Sequence, residues 1–224
     1  MEDLKVEYDM TVRNNMGKII QFSYGDDGIE TTKVENQSFP VVKMTTEEIY
    51  AHYQMPSDSL NDEVYTTNYT SEALKRIRKQ KALTLEKTEE YIQDMLHARE
   101  LIVDKVFNFE DTTQVHIPIN FKRIINNIKQ QLNIKATSLV DITPLECFEM
   151  IEECRKQLDE IRCCKPTKLF MVLFDYYLSP KELLMNHRYN RKALTMLCMN
   201  ILTNYKKSIV SPGEMVGMIA ATRS

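Results

Sequence analysis

Thr143-Pro144-Leu145-Glu146-Cys147-Phe148-Glu149-Met150-Ile151-Glu152-Glu153-Cys154 begins as an α-helix begins, with a hydroxyl at the cap, proline at the first helical position and glutamate at the third. Cys147 and Cys154 share a helix face with Leu145, Phe148 and Ile151, so packing accounts for them better than reactivity does. The same pattern at Ser179-Pro180-Lys181-Glu182 and at Ser211-Pro212-Gly213-Glu214 predicts two further helix starts. Outward from these, Leu194, Leu197, Cys198, Ile201, Leu202 and Tyr205 form an apolar stripe on a helix near 191–206. Residues 168–178 are apolar on nearly every side, which predicts a central helix. From Ser71 to Phe107 there is room for one long helix or two shorter ones, with Leu85, Ile92, Met95, Leu96, Ile102, Val103 and Val106 inward.

The amino end reads differently. Residues 18–24 alternate, placing Ile20, Phe22 and Tyr24 on one face of a strand, with turn residues Asn14, Asn15 and Gly17 before it and Gly25 to Gly28 after it. Thr45 to Glu48 is a capping box that predicts a short helix to about Tyr53, followed by a loop at Pro56, Ser57, Asp58 and Ser59. Val115, Ile117 and Ile119 alternate as a short strand, which Pro118 confines to an edge. The expected fold is mainly α (α+β overall), a helical domain with a small β-containing segment near the N-terminus.

Composition narrows the function. The 224 residues are 43% hydrophobic, enough for a real core, and the net charge of −3 gives no global positive field to draw nucleic acid. Five cysteines, at 147, 154, 163, 164 and 198, show no metal-ligand spacing, as expected of reduced thiols. MEDLKVEYDM has no secretory features, and the most apolar run, Leu169 to Phe174, is too short to span a bilayer.

Few residues invite chemistry. Tyr24-Gly25-Asp26-Asp27 resembles the hairpin on which palm-type polymerases hold magnesium, yet such a site needs a further aspartate on an upstream strand. Only Asp3 and Asp9 precede it, without a fitting strand, so a Gly-Asp-Asp-Gly turn is the plainer reading. Lys75, Arg76, Arg78, Lys79 and Lys81 form a basic run, with Leu74 and Ile77 at helical spacing and Glu86, Glu89, Glu90 and Asp94 just after it. A solvated helix face laced by charge pairs accounts for this run. His52, His97, His116 and His187 are scattered, with His116 read as a partly buried packing residue, and Gly213 with Gly217 makes no phosphate loop.

Thr11-Val12-Arg13-Asn14-Asn15-Met16-Gly17-Lys18-Ile19-Ile20-Gln21-Phe22-Ser23-Tyr24-Gly25-Asp26-Asp27-Gly28 resembles the segment after the bridge helix in the largest subunit of eukaryotic or viral-type multi-subunit DNA-directed RNA polymerases. Ser208-Ile209-Val210-Ser211-Pro212-Gly213-Glu214-Met215-Val216-Gly217-Met218-Ile219-Ala220-Ala221 is similar to the element leading into the trigger loop of that subunit, and Val115 to Ile125 to an intervening stretch. The motif positions are Arg13, Asn14, Gly17, Gln21, Tyr24, Gly25, Asp27, Gly28, Pro212, Gly213, Glu214 and Gly217, all structural.

The resemblance implies a cleft-domain segment over 1–30, a foot-like helical domain over 31–205, and a second cleft-domain segment over 206–224. It implies no catalytic, cofactor-binding or metal-binding residue in this segment. Magnesium would be held elsewhere in the assembled enzyme by an aspartate triad in an NADFDGD motif, and the isolated chain is not expected to be active. Implied partners are the rest of the largest subunit, the second-largest and smaller subunits, and template DNA and RNA through the assembly, with no membrane. The implied location is intracellular, in the nucleus, or in the virion or host cytoplasm if viral. The bridge helix would end near Glu2 and Asp3 and the trigger loop would follow Ala221. There the family continues Gln-Ser-Ile-Gly-Glu-Pro and this chain reads Thr222-Arg223-Ser224, as a split gene, an intervening element or a fragment would. Two rivals stand beside this reading, a palm-type polymerase fragment using Asp26 and Asp27 and a free-standing helical adaptor.

Overall fold

The computed structural model of the chain describes residues 3–56, 62–107, 114–161 and 164–218. Ser57 to Ser59 of the expected loop, Cys163, and the ends at Glu2 and beyond Met218 lie outside them. Three short antiparallel strands open the chain: β1 (Lys5–Val6), β2 (Val12–Arg13) and β3 (Ile19–Gln21), in the order β1-β2-β3. The β2–β3 register shifts between Val12 and Arg13. Two tight turns make the sheet possible. Glu7 N–H donates to Thr11 O (2.9 Å) across the first, while in the second the Asn14 carboxamide oxygen accepts from the amides of Met16 (3.1 Å) and Lys18 (2.9 Å).

The helical domain follows. Strand β4 (Glu35–Ser38) precedes α1 (Thr46–Tyr53), whose capping box is complete: Thr45 Oγ1 accepts from Glu48 N–H (3.2 Å), and Thr45 N–H donates to the Glu48 carboxylate (2.8 Å). A short α2 (Asp62–Asn68) leads into one continuous helix, α3 (Ser71–Lys105). On α3, Ile92, Met95 and Ile102 are buried as expected, but Val106 is the exposed C-cap. Thr84 and Thr88 are buried instead, because each hydroxyl donates to the carbonyl four residues back (3.0 and 2.7 Å) and enters the core with its polar group satisfied.

Strand β5 (Gln114–Ile117) pairs antiparallel with β4, a partner hidden in a segment of weak sequence pattern. Val115 and Ile117 point inward and His116 points to solvent, correcting its reading as a packing residue. Helix α4 (Phe121–Gln131) is strongly two-faced, with Phe121, Ile124, Ile125 and Ile128 buried. Helix α5 (Pro144–Asp159) starts at its Thr143 cap, but the Glu146 carboxylate turns away to Arg76 (2.5 Å) and Arg191 (2.6 Å), joining three helices.

Helix α6 (Lys168–Tyr177) is central, and its Phe170 and Phe174 rings lie 5.4 and 6.2 Å from that of Phe121. Ser179 caps the next turn (Oγ to Glu182 N–H, 3.3 Å) as expected, yet the helix widens into a single π-turn at Glu182–Asn186. Arg188, at φ 55°, ends it, and Tyr189 is fully buried with its hydroxyl on Ile125 O (2.8 Å). The chain returns through α7 (Arg191–Ser208), which packs Leu194, Leu197, Ile201 and Tyr205 into the core. Each such fully buried large side chain contributes roughly 1.5–3 kcal/mol.

Candidate docking surface

The chain's two ends fold together. Val6 N–H donates to Glu214 O (3.0 Å), Gly213 N–H to Val6 O (2.6 Å), and Val216 N–H to Leu4 O (2.9 Å). A neck of two antiparallel stretches joins this terminal module to the helices: Val210 N–H bonds Gly28 O (3.0 Å) and Glu30 N–H bonds Ser208 O (2.8 Å). Val6, Val12, Val210 and Val216 make its small core, with Leu4, Met10 and Tyr24 against it. The helical domain is thus an insertion between two halves of one module.

Ser211-Pro212-Gly213-Glu214 does not start a helix where the proline pattern predicted one. Gly213 has φ 89° and Glu214 N–H bonds Ser211 O (3.3 Å), so proline and glycine occupy the centre of a turn that needs positive φ at its third residue. The turn delivers residues 213–216 as a strand-like partner for β1, and Gly217 begins helical backbone, buried, beyond it. Sequence reasoning missed β1. Its only local signal is the alternation of Leu4 and Val6, and besides β2 it pairs with residues some two hundred positions away.

The other motif residues serve backbone geometry. Arg13 Nε donates to Thr11 Oγ1 (2.9 Å) and its guanidinium pairs with Asp9 (2.5 Å). Hydrogen bonds from the Thr11 hydroxyl and amide, then Arg13, hold the Asp9 carboxyl below the usual range. Asn14 and Gly17 (φ 77°) make the second hairpin turn, and Gln21 sits opposite Val12 on β3. Gly25 (φ 59°) and Asp26 (φ 66°) curl the chain after half-buried Tyr24, whose carbonyl accepts from Gly28 N–H (2.7 Å). Asp27 Oδ1 accepts from Ile29 N–H (3.0 Å). Gly28 (φ 70°) is buried where any Cβ would overlap Cys164 Sγ, so this glycine lets the neck press onto the helical domain.

Apolar side chains of the module stand in solvent: Tyr8 is 91% exposed, Met16 87% and Phe22 83%, with Ile19, Ile20 and Met215 also exposed. The strand expected over 18–24 is shorter, Ile19–Gln21, and Ile20 and Phe22 of its apolar set are exposed. Tyr24 alone of that set turns inward.

The remaining candidates reduce to structure. Asp27 is engaged as a turn cap, and among the described residues no three His, Cys, Asp or Glu side chains lie together. In the basic run, Arg76 is tied to Glu146 and to Asp141 O (3.0 Å), while Lys75, Arg78 and Lys79 face solvent. His52 stacks on Tyr176 (4.5 Å), and burial lowers the pKa of His187. No described helix is long and apolar enough to cross a membrane.

The family profile described as RNA polymerase Rpb1, domain 6, matches residues 29–208. The chain belongs to the Rpb1 domain 6 family. That match spans the helical domain and stops at the neck on both sides. Two curated relatives are similar beyond it: DNA-directed RNA polymerase II subunits RPB1-A and RPB1-B of Trypanosoma brucei brucei, each 25% identical over 247 aligned positions covering 99% of this chain. The chain spans 14% of the length of each. The alignments thus take in the terminal module as well as the domain 6 helices. Neither the palm-type nor the adaptor reading is favoured by these similarities.

Proposed function

We propose that this chain is a structural and docking segment of the largest subunit of a DNA-directed RNA polymerase, contributing to transcription only within the assembly. The observation that supports it most is the set of exposed apolar side chains on a module built from both chain ends, continuous with a helical domain of a polymerase family. On this reading 1–30 and 206–224 are cleft-domain segments and 31–205 is the foot-like domain. The partners are the remaining largest-subunit polypeptide, the second-largest and smaller subunits, and through them template DNA and RNA. Magnesium chemistry belongs to an aspartate triad outside this chain. The setting is the nucleus, or virion and host cytoplasm if the source is viral.

An affinity tag on the chain in its native cells tests this. The expected result is co-purification of a polypeptide carrying the NADFDGD triad and of a second-largest subunit, with DNA-templated RNA synthesis in that complex alone. A chain that purifies without polymerase polypeptides, or that elongates RNA by itself, overturns the proposal.

A further inference from the structure

Helix α3 presents its charges to solvent in two blocks of opposite sign. Lys75, Lys79, Ala82, Glu86 and Glu90 recur every three or four residues and are all exposed, so they form one stripe along the helix. Ala73, Thr84, Thr88, Tyr91 and Met95 take the opposite side into the core. Arg76 pairs with Glu146 and Lys87 with Glu152 (2.7 Å), both on α5. Among the described residues Lys75, Arg78, Lys79, Glu86 and Glu89 make no ion pair, so the charge pairs expected along this face do not form within one chain. The order of signs is self-complementary. At equal distances from the Ala82–Leu83 bond stand Lys79 and Glu86, then Lys75 and Glu90, and Arg78 matches Glu89 within one helical turn.

We propose that the exposed face of α3 is a contact for a second copy of this chain, the two helices lying antiparallel about a two-fold axis at Ala82 and Leu83. Lys79 then meets the partner's Glu86 and Lys75 the partner's Glu90, with Arg78 beside the partner's Glu89, and the symmetry makes each pair twice. Alanine at the axis lets the two backbones approach closely. Leu83, 54% exposed in the single chain, covers its apolar surface against its own copy. A parallel pair would set Lys75 and Lys79 against themselves and Glu86 and Glu90 likewise, so the charges select the antiparallel arrangement. Exposed ion pairs are individually weak and the helix contact is narrow, so the dimer is loose and salt-sensitive. No residue of the terminal module takes part. Apolar association through that module is read at about 1 M salt, where charges are screened beyond about 3 Å and the α3 contact is gone.

The inference rests on α3 alone and is independent of the polymerase reading. Its test is sedimentation equilibrium of the full chain in about 0.01 M and about 1 M salt. The expected result is a dimer at low salt whose dissociation constant rises about tenfold or more at high salt. Lys79→Glu and Glu86→Lys each set like charges opposite one another, and each should weaken the low-salt dimer about tenfold or more. Both side chains are exposed, so the fold bears either change. Mixed in equal amounts, the two variants should pair with each other, and a chain carrying both substitutions should pair with itself again. Self-association that is equal at both salt levels, single variants that dimerise as the wild type does, or a mixture of the two that stays monomeric overturns the proposal. So does a wild-type chain that is monomeric at low salt, whether or not its basic half then takes up poly-glutamate or single-stranded DNA.

Discussion

The helical domain and the terminal module solve the same problem unequally. The first buries its apolar residues in one connected core running from Phe39 through α3, α4, α5 and α6 to Tyr205. The second closes only around Val6, Val12, Val210 and Val216 and leaves Tyr8, Met16 and Phe22 almost fully in solvent. A core of four aliphatic side chains is too small to offset the conformational entropy of ordering three strands. The module therefore draws stability from the neck, which the helical domain does not need.

Single core truncations can break that contrast most forcefully. Leu197→Ala empties a fully buried position on α7 and is expected to cost about 2–5 kcal/mol in the main thermal or urea transition. Val12→Ala removes less, and its effect belongs to the module. The main midpoint should hold while backbone amides of residues 4–21 exchange faster with deuterium. If both variants lower the main transition alike, the two regions are one cooperative unit and the contrast is wrong.

A pH titration separates the regions by charge. Burial pushes the Asp175 carboxyl up to about 6, with Arg155 (2.9 Å) pulling the other way and Asp94 adding to the rise. The folded pKa thus lies above the unfolded value, so the folded chain keeps a proton that the unfolded chain releases from about pH 4 upward. That stabilisation is fully present below the unfolded pKa and lost as pH rises through the folded one, by roughly 2–3 kcal/mol in total. The stability of wild type minus that of Asp175→Asn should fall from pH 4 to pH 6 and stay level above. A signed difference that stays flat or rises would show that the Arg155 pair outweighs desolvation.

The neck couples the regions, and Gly28 is where it can be tested. Alanine there must hold positive φ and overlap Cys164 Sγ, a penalty of about 1–3 kcal/mol from backbone strain before the overlap is counted. Adding Cys164→Ala should recover the overlap part and leave the strain. Equal losses in the single and double variants would show that the neck does not press on the helical domain.

What the sequence disclosed followed how local each interaction is. Thr143-Pro144 and Thr45 to Glu48 announce helices because a cap is a contact within four residues, and both were legible. Ser211-Pro212-Gly213-Glu214 carries the same hydroxyl, proline and glutamate and makes a turn, because glycine directly after proline favours positive φ. That glycine was the available signal. The pairing of Leu4 to Val6 with residues 213–216 was not legible, since hydrogen bonds between backbone groups carry no side-chain pattern. Asp175 was hidden in an apolar run, and its burial depends on Arg155 from α5. The motif residues Arg13 to Gly28 were legible as a resemblance, but their work as turn formers and neck contacts emerges only in three dimensions.

The smallest effect on stability is the sharpest on the docking surface. Phe22 and Ile20 are 83% and 50% exposed and belong to neither core. Replacing both by serine should leave the main transition within about 0.5 kcal/mol, because surface positions away from caps and cavities rarely move it further. The same double substitution removes apolar area that favours association in water, so the isolated chain should stay monomeric at concentrations where the wild type self-associates in sedimentation experiments. In the tagged assembly it should weaken retention of the polymerase polypeptides, since the lost area is then lost from an interface. A variant that unfolds early would mean the face is already covered within this chain. A stable variant that associates and assembles as the wild type does would mean the bare face is ordinary surface, and the terminal module would then be complete as it stands.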